Sequence, residues 1–195
     1  RYILGGGGGG WAKTEDIETS FIHYINSLYK SNGIVFSIIL ARMLLFTEAR
    51  FCWFEVNDNG DNGLPAGRDG LELLERPWPN GTTGEMEARA EQDVSLGGNF
   101  FLAGEQDRLR RLRPDWTTII LTAPPAEATR SDVAGYWYHP GRGYSNAGEP
   151  TPTDEVYLPG EVCHWSPIPD PDAQYRGMSW LTPVIREILS DKAAT

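Results

Sequence analysis

The hydrophobic pattern changes period midway along the chain. Up to about residue 98 apolar positions recur every three or four residues, as on a helix face; beyond it they come in short runs divided by turn residues, as in strands. Ile17, Phe21, Tyr24, Ile25 and Leu28 trace one stripe. Ahead of them Thr14 suits an N-cap, and Glu15, Asp16 and Glu18 suit the positive end of a helix dipole. This spacing predicts a first amphipathic helix that closes at Asn32-Gly33. Residues 34–48 predict a second helix that is apolar on nearly every side, so burial on several faces is expected, by its own domain or by neighbouring subunits. An aromatic-rich strand is predicted at 50–56, followed by an Asn/Asp/Gly turn cluster at 57–63. A short helix at 70–75 stops before Pro77, and the stiff loop 77–84 caps another helix, 84–96, which Gly97-Gly98 ends. Strands follow near 99–103, 116–122, 133–139 and 162–166, with loops at Pro124-Pro125 and 140–152. A last helix is predicted from Ser179 through Trp180, Leu181, Val184, Ile185, Ile188 and Leu189. The fold class is α+β, with N-terminal helices packed on short, mostly antiparallel strands in a small barrel or sheet. Six glycines at 5–10 read as a tether, which divides the chain into a flexible segment, 1–13, and one domain, 14–195.

Composition narrows what such a domain can do. Its 195 residues are 40% hydrophobic, enough for a core, and carry a formal net charge of −10. An acidic surface repels nucleic acid, which excludes an ordinary DNA-coating protein. Cys52 and Cys163 are too few for a disulfide framework and read as reduced core thiols. The opening residues lack the apolar run of a signal peptide, so synthesis in the cytoplasm is expected. The longest apolar stretch, 34–46, is interrupted by Ser37 and Arg42 and is too short to span a bilayer.

The residues that chemistry would need are scattered. After Gly10 the lysine, Lys13, falls two positions too late for a phosphate-binding loop, and Trp11 intrudes. His23 reads as a structural residue of the first helix. Cys163 and His164 are neighbours on a strand and so point to opposite faces; His139 lacks a Cys or His at metal-ligand spacing. Glu85, Glu87, Glu91 and Asp93 on one helix, and Asp154, Glu155 and Glu161 in late loops, read as a solvated acidic surface. No catalytic, cofactor or metal residue is assigned. The one basic concentration is Arg108, Arg110, Arg111 and Arg113 within six residues. Guanidinium groups bind phosphate or carboxylate alike; the overall charge favours carboxylates of the same fold or of a neighbouring subunit.

Several strings go further. They are Tyr29-Lys30-Ser31-Asn32-Gly33-Ile34-Val35-Phe36 with Ala41-Arg42-Met43-Leu44-Leu45-Phe46-Thr47-Glu48-Ala49-Arg50-Phe51, then Leu74-Glu75-Arg76-Pro77-Trp78-Pro79-Asn80-Gly81-Thr82-Thr83-Gly84, then Gln92-Asp93-Val94-Ser95-Leu96-Gly97-Gly98-Asn99-Phe100. The arginine segment through Trp116 follows. Last come His164-Trp165-Ser166-Pro167 and Tyr175-Arg176-Gly177-Met178-Ser179-Trp180-Leu181. In this order they resemble the portal proteins of long-tailed, siphovirus-type bacteriophages, over most of residues 24–192; the glycine run is not part of that pattern.

The resemblance implies the N-terminal, wing-like portion of a ring subunit, with stem, clip and crown mostly beyond Thr195. It implies a homo-oligomer, dodecameric in the usual case, at one capsid vertex of the virion, made in the host bacterial cytoplasm. Implied partners are the terminase large subunit, capsid and scaffold proteins, a head–tail adaptor and double-stranded DNA passing through without sequence-specific contact; no membrane is implied. Candidate subunit-interface residues are Arg42, Trp78, Arg108, Arg110, Arg111 and Arg113. The alternatives are a monomeric adaptor or binding module, and a hydrolase using a cysteine or a carboxylate pair.

Overall fold

The structure, a computed structural model, describes residues 14–16, 20–123, 131–141, 153–185, 187–188 and 190. The glycine run, Ile17 and most of the two proline-rich loops lie outside the described residues. The elements are β1 (Thr14–Asp16), α1 (Ser20–His23) continuing as a π-helical stretch (Tyr24–Tyr29), α2 (Gly33–Phe46), β2 (Phe54–Val56), β3 (Asn62–Pro65), α3 (Glu72–Glu75) and α4 (Thr83–Gly97). The strands β4 (Phe100–Glu105), β5 (Arg108–Leu112), β6 (Thr117–Leu121), β7 (Val133–Tyr138), β8 (Glu155–Tyr157) and β9 (Val162–Trp165) follow. The class is α+β, as the pattern implies. The sheets stay open, with orders β1-β6-β7-β8 and β5-β4-β9 beside the β2-β3 hairpin, and every pairing is antiparallel.

Strand β4 sets the layers, because alternate residues of a strand face opposite ways. Phe101 and Ala103 enter a core between the two larger sheets with Leu112, Ile119, Tyr136 and Tyr138. Phe100 and Leu102 face the other way and meet Met86, Ala90 and Val94 of α4. Beyond α4, Phe21, Tyr24, Leu28, Val35 and Ile39 close a third cluster on Leu96 and Leu181. The order through the domain is helices, α4, three-stranded sheet, four-stranded sheet. Burying a large apolar side chain of this kind stabilises by about 1.5–3 kcal/mol, and truncating Phe101 to Ala costs about 3–5 kcal/mol.

Helix α4 follows its sequence signals. Thr82 Oγ1 accepts the Glu85 amide at 3.2 Å, and Gly98 takes the left-handed conformation (φ 70°) that ends it. The chain start does not. Thr14, Glu15 and Asp16 form strand β1 on β6 instead of a helix cap. The reason is a tertiary anchor: buried Glu15 accepts the amides of Gln174 (2.7 Å), Tyr175 (3.0 Å) and Arg176 (2.9 Å). Three charge-assisted bonds outweigh what a helix dipole offers an exposed carboxylate. The first helix therefore begins at Ser20.

Other expectations are corrected in the same way. Cys52 and Cys163 are exposed, not core residues. The aromatic strand is shorter, starting only at Phe54, and the arginine segment is itself a strand, β5. Glu155 lies in strand β8 rather than a loop. The C-terminal helix starts with a 3₁₀ turn at Thr182–Val184, because Ser179 is occupied in donating to the Ser95 carbonyl (2.5 Å) and accepting the Leu181 amide (3.0 Å). Glu87, Glu91 and Asp93 are buried, so α4 does not present a solvated acidic face.

Candidate subunit interface

The adjacent arginines Arg110 and Arg111 of β5 reach different layers, which follows from strand geometry. Leu109 and Arg111 face α4; Arg110 and Leu112 face the opposite sheet. Arg111 holds Asp93 of α4 in a two-point grip, Nε to Oδ2 at 2.6 Å and Nη2 to Oδ1. Burial pushes the Asp93 carboxyl up to about 6, against the pull of Arg111. Arg110 bridges the two sheets. Its Nη1 donates to Glu105 on β4 (3.0 Å) and to Glu155 (2.9 and 3.0 Å) and Tyr157 (3.2 Å) on β8. Burial works against the Glu105 carboxylate, but its bonds from Arg110 and Arg108 win and lower its pKa. Arg108 pairs across the strand turn with Glu105 at 2.8 Å. Arg113 grips Asp115 (2.7 and 3.0 Å) and lies over the Trp116 ring, 4.0 Å from its centre. The cluster's carboxylate partners thus come from its own chain.

Arg42 projects from α2 to Glu91, which is fully buried and also accepts from Ser95 Oγ at 2.7 Å. Trp78 lies beneath the Arg89 guanidinium, 5.1 Å from the ring centre. Of the six candidate residues, Arg108 and Arg42 keep about half of their side chains exposed, 55% and 47%.

Two of the quoted strings meet across the fold. Asn99 is fully buried; its amide donates to the Gly97 and Gly177 carbonyls (2.8 and 2.9 Å) and its oxygen accepts the Gly177 amide at 2.8 Å. His164 Nε2 reaches the same oxygen at 3.0 Å, so that nitrogen carries the proton. The ring stacks on Phe101, 4.4 Å between centres, and burial lowers its pKa to about 4, keeping it neutral. Backbones touch here. A Cβ on Gly98 would lie 2.3 Å from the Met178 carbonyl carbon, and one on Gly177 would lie 2.3 Å from the Gly98 oxygen. Glycine is required at both positions. Cys163 points away from His164 along the strand, so the two do not form a nucleophile–base pair.

The largest unsatisfied surface is apolar. In α2 only Val35 and Ile39 are buried, on the face toward α4. Ile34, Phe36, Ile38, Leu40, Leu44, Leu45 and Phe46 are exposed, Ile34 and Leu45 by more than 70%. The expected burial by its own domain therefore extends to one stripe only. The next segment adds Phe51, Trp53, Phe54, Val56 and Leu64, all exposed. Together these residues make up most of the exposed large apolar side chains among the described residues. Sequence periodicity flags α2, but cannot tell which of its faces the fold leaves open. No single helix among the described residues is long and apolar enough to cross a membrane; the π-helical stretch and α2 pass such a test only as a pair bent by 109°.

No protein-family model and no curated protein matches the chain. Solved structures share its fold. A chain in the neck of a native GTA particle computed with C12 symmetry superposes with a TM-score of 0.61 at 17% identity, over 91% of this chain and 43% of that one. A chain in the neck of an empty GTA particle computed with C6 symmetry gives 0.61 at 17% identity over 92% and 45%. One in the virion of a native gene transfer agent (GTA) particle gives 0.63 at 16% identity over 91% and 43%. The chain spans somewhat less than half the length of each.

Proposed function

We propose that this chain is a structural subunit of a phage-type head–tail assembly, and within that class the wing-like part of a portal ring. The observation that carries the reading is α2: a helix apolar on nearly every side, covered by its own fold on one stripe, in a fold shared with chains of symmetric GTA necks. A closed ring buries such a surface in every subunit at once, because each copy offers one patch to a different patch on the next. Two of the GTA necks that share the fold were computed with C12 and C6 symmetry, which suits a dodecamer.

The electrostatics suit a conduit. With a net charge of −10 and Arg110, Arg111 and Arg113 paired to internal carboxylates, the domain offers double-stranded DNA little to hold, so a passing polyanion is not retained. The same reading supplies the remaining partners by function: the terminase large subunit during packaging, capsid and scaffold proteins around the ring, and a head–tail adaptor afterwards. The exposed parts of Arg42, Trp78 and Arg108 belong to the subunit contact, and Arg110, Arg111 and Arg113 hold the layers that present it. The chain acts without catalysis.

The test is the mass of the purified full-length protein by light scattering, with negative-stain imaging of the same sample. Rings with a central hole support the reading. A monomer at every concentration, with or without a co-expressed scaffold protein, refutes it.

A further inference from the structure

Among the described residues, the segment from 48 to 70 contributes no side chain to the apolar clusters of its own subunit. Every residue of it is exposed. It folds into the β2-β3 hairpin, turned by Asn57, whose Oδ1 accepts the amides of Asn59 (3.1 Å) and Asp61 (2.9 Å). Among the described residues its hydrogen bonds stay local: the Ala66 amide to the Trp53 carbonyl (2.8 Å), Trp53 Nε1 to the Asp69 carbonyl (2.9 Å), and an Arg68–Glu75 pair at the base. A lone two-stranded hairpin is marginal in water, and one carrying Phe51, Trp53, Phe54 and Val56 is worse placed there than most. It requires a surface to lie on.

Helix α2 offers that surface. Val35, Ile39 and Met43 occupy the stripe facing the domain. Ile34, Ile38, Ala41 and Leu45, at i, i+4, i+7 and i+11, form an uncharged stripe that faces away. Phe54 and Val56, two apart on β2, share one face of the hairpin. The hairpin follows the C-terminal end of α2 in the chain, and one contact repeated between copies would cover both bare surfaces.

We propose that residues 48–70 are an arm that reaches out of each subunit and packs, through Phe54 and Val56, on the Ile34–Ile38–Leu45 stripe of the next copy's α2. The occupant is a second copy of this chain, because the fold is shared with chains of C12- and C6-symmetric necks and because Phe54 and Val56 on the arm and Ile34, Ile38 and Leu45 on the stripe are exposed apolar side chains that a repeated contact covers together. The proposal rests on the ring reading and deepens it. The contact is head-to-tail: arm and stripe are different surfaces, so it propagates around a ring and does not stop at a pair.

That asymmetry supplies the experiment. Val56→Asp blunts the arm; Ile34→Asp with Ile38→Asp blunts the stripe. All three positions are exposed, so unchanged circular dichroism and melting of each subunit are expected. In the full-length protein each variant alone weakens subunit association about tenfold or more and runs as a monomer at concentrations where the wild type forms rings. Mixed one to one, the stripe variant's intact arm meets the arm variant's intact stripe. The chain of contacts then ends after one step, and a species of twice the subunit mass appears. A mixture that stays monomeric, or single variants that still build rings, overturns the arm contact while leaving the ring reading intact. A wild type that never assembles overturns both. So does a wild type monomer that floats with phosphatidylcholine vesicles, which would give the patch to lipid.

Discussion

Replacing His164 by Gln converts the buried junction around Asn99 into a measurable pH dependence. In the folded protein the ring is stacked on Phe101 and hydrogen-bonded to Asn99, and burial lowers its pKa from 6.5 to about 4. The unfolded chain therefore binds a proton that the folded one refuses. The sign follows: the stability held by neutral His164 is fully present above pH 6.5 and is lost as pH falls from 6.5 toward 4. A shift of this size amounts to about 3 kcal/mol in full, and about 2 kcal/mol of it is gone by pH 5. His164→Gln removes that dependence. The amide still donates to Asn99, but the stack on Phe101 is lost, a cost of about 1–2 kcal/mol at pH 7.5. Urea unfolding at pH 7.5 and pH 5 on both proteins is the assay. The wild type is expected to be the more stable at pH 7.5 and to lose its lead at pH 5. Other groups, such as Asp93, titrate equally in both proteins and cancel in the difference. Parallel pH profiles, with the gap constant to within about 0.5 kcal/mol, would refute a neutral buried histidine.

Other outcomes are as definite. Gly98→Ala forces a Cβ to within 2.3 Å of the Met178 carbonyl carbon at a left-handed residue. It is expected to cost more than about 3 kcal/mol in urea unfolding, and a cost below about 1 kcal/mol would contradict the contact. Glu15→Gln turns an amide group toward three backbone donors and is expected to destabilise by about 2–3 kcal/mol, seen as a lower melting temperature. From sequence alone, Arg110→Glu and Arg111→Glu are both expected to impair assembly more than folding. The structure divides them: Arg111→Glu sets a second carboxylate against buried Asp93 and should cost the fold about 3–5 kcal/mol, whereas Arg110→Glu, nearer solvent, should cost about 1–2 kcal/mol. Equal unfolding midpoints for the two would refute that division.

What the sequence conveys depends on whether a signal is local. Helix α4 was legible because its N-cap Thr82 and its terminator Gly98 lie beside it in the chain. Strands β4, β6, β7 and β9 were legible as aromatic and β-branched runs. Strand β1 was not: Thr14, Glu15 and Asp16 have the composition of a helix start, and the amides that claim Glu15 lie about 160 residues away. Strand β5 was hidden because Arg110 and Arg111 break its alternation, and nothing local reveals that the two reach opposite layers to Glu155 and Asp93. The apolar excess of α2 was plain from the sequence, while the face left bare is fixed by α4 and could be read only from the fold.

The Glu15 clasp has a consequence for synthesis. Strand β1 is among the first described parts of the chain to leave the ribosome, yet the Glu15 carboxylate accepts the amides of Gln174, Tyr175 and Arg176, and the Asp16 carbonyl accepts from the Arg176 guanidinium. Gly177 likewise completes the seat of Asn99 only when it emerges. Closing loops this long is slow and cannot begin early. These two segments are thus joined late, so a nascent chain stalled before residue 174 carries strands β1 to β9 but lacks the bonds that Glu15 and Asn99 accept from residues 174–177.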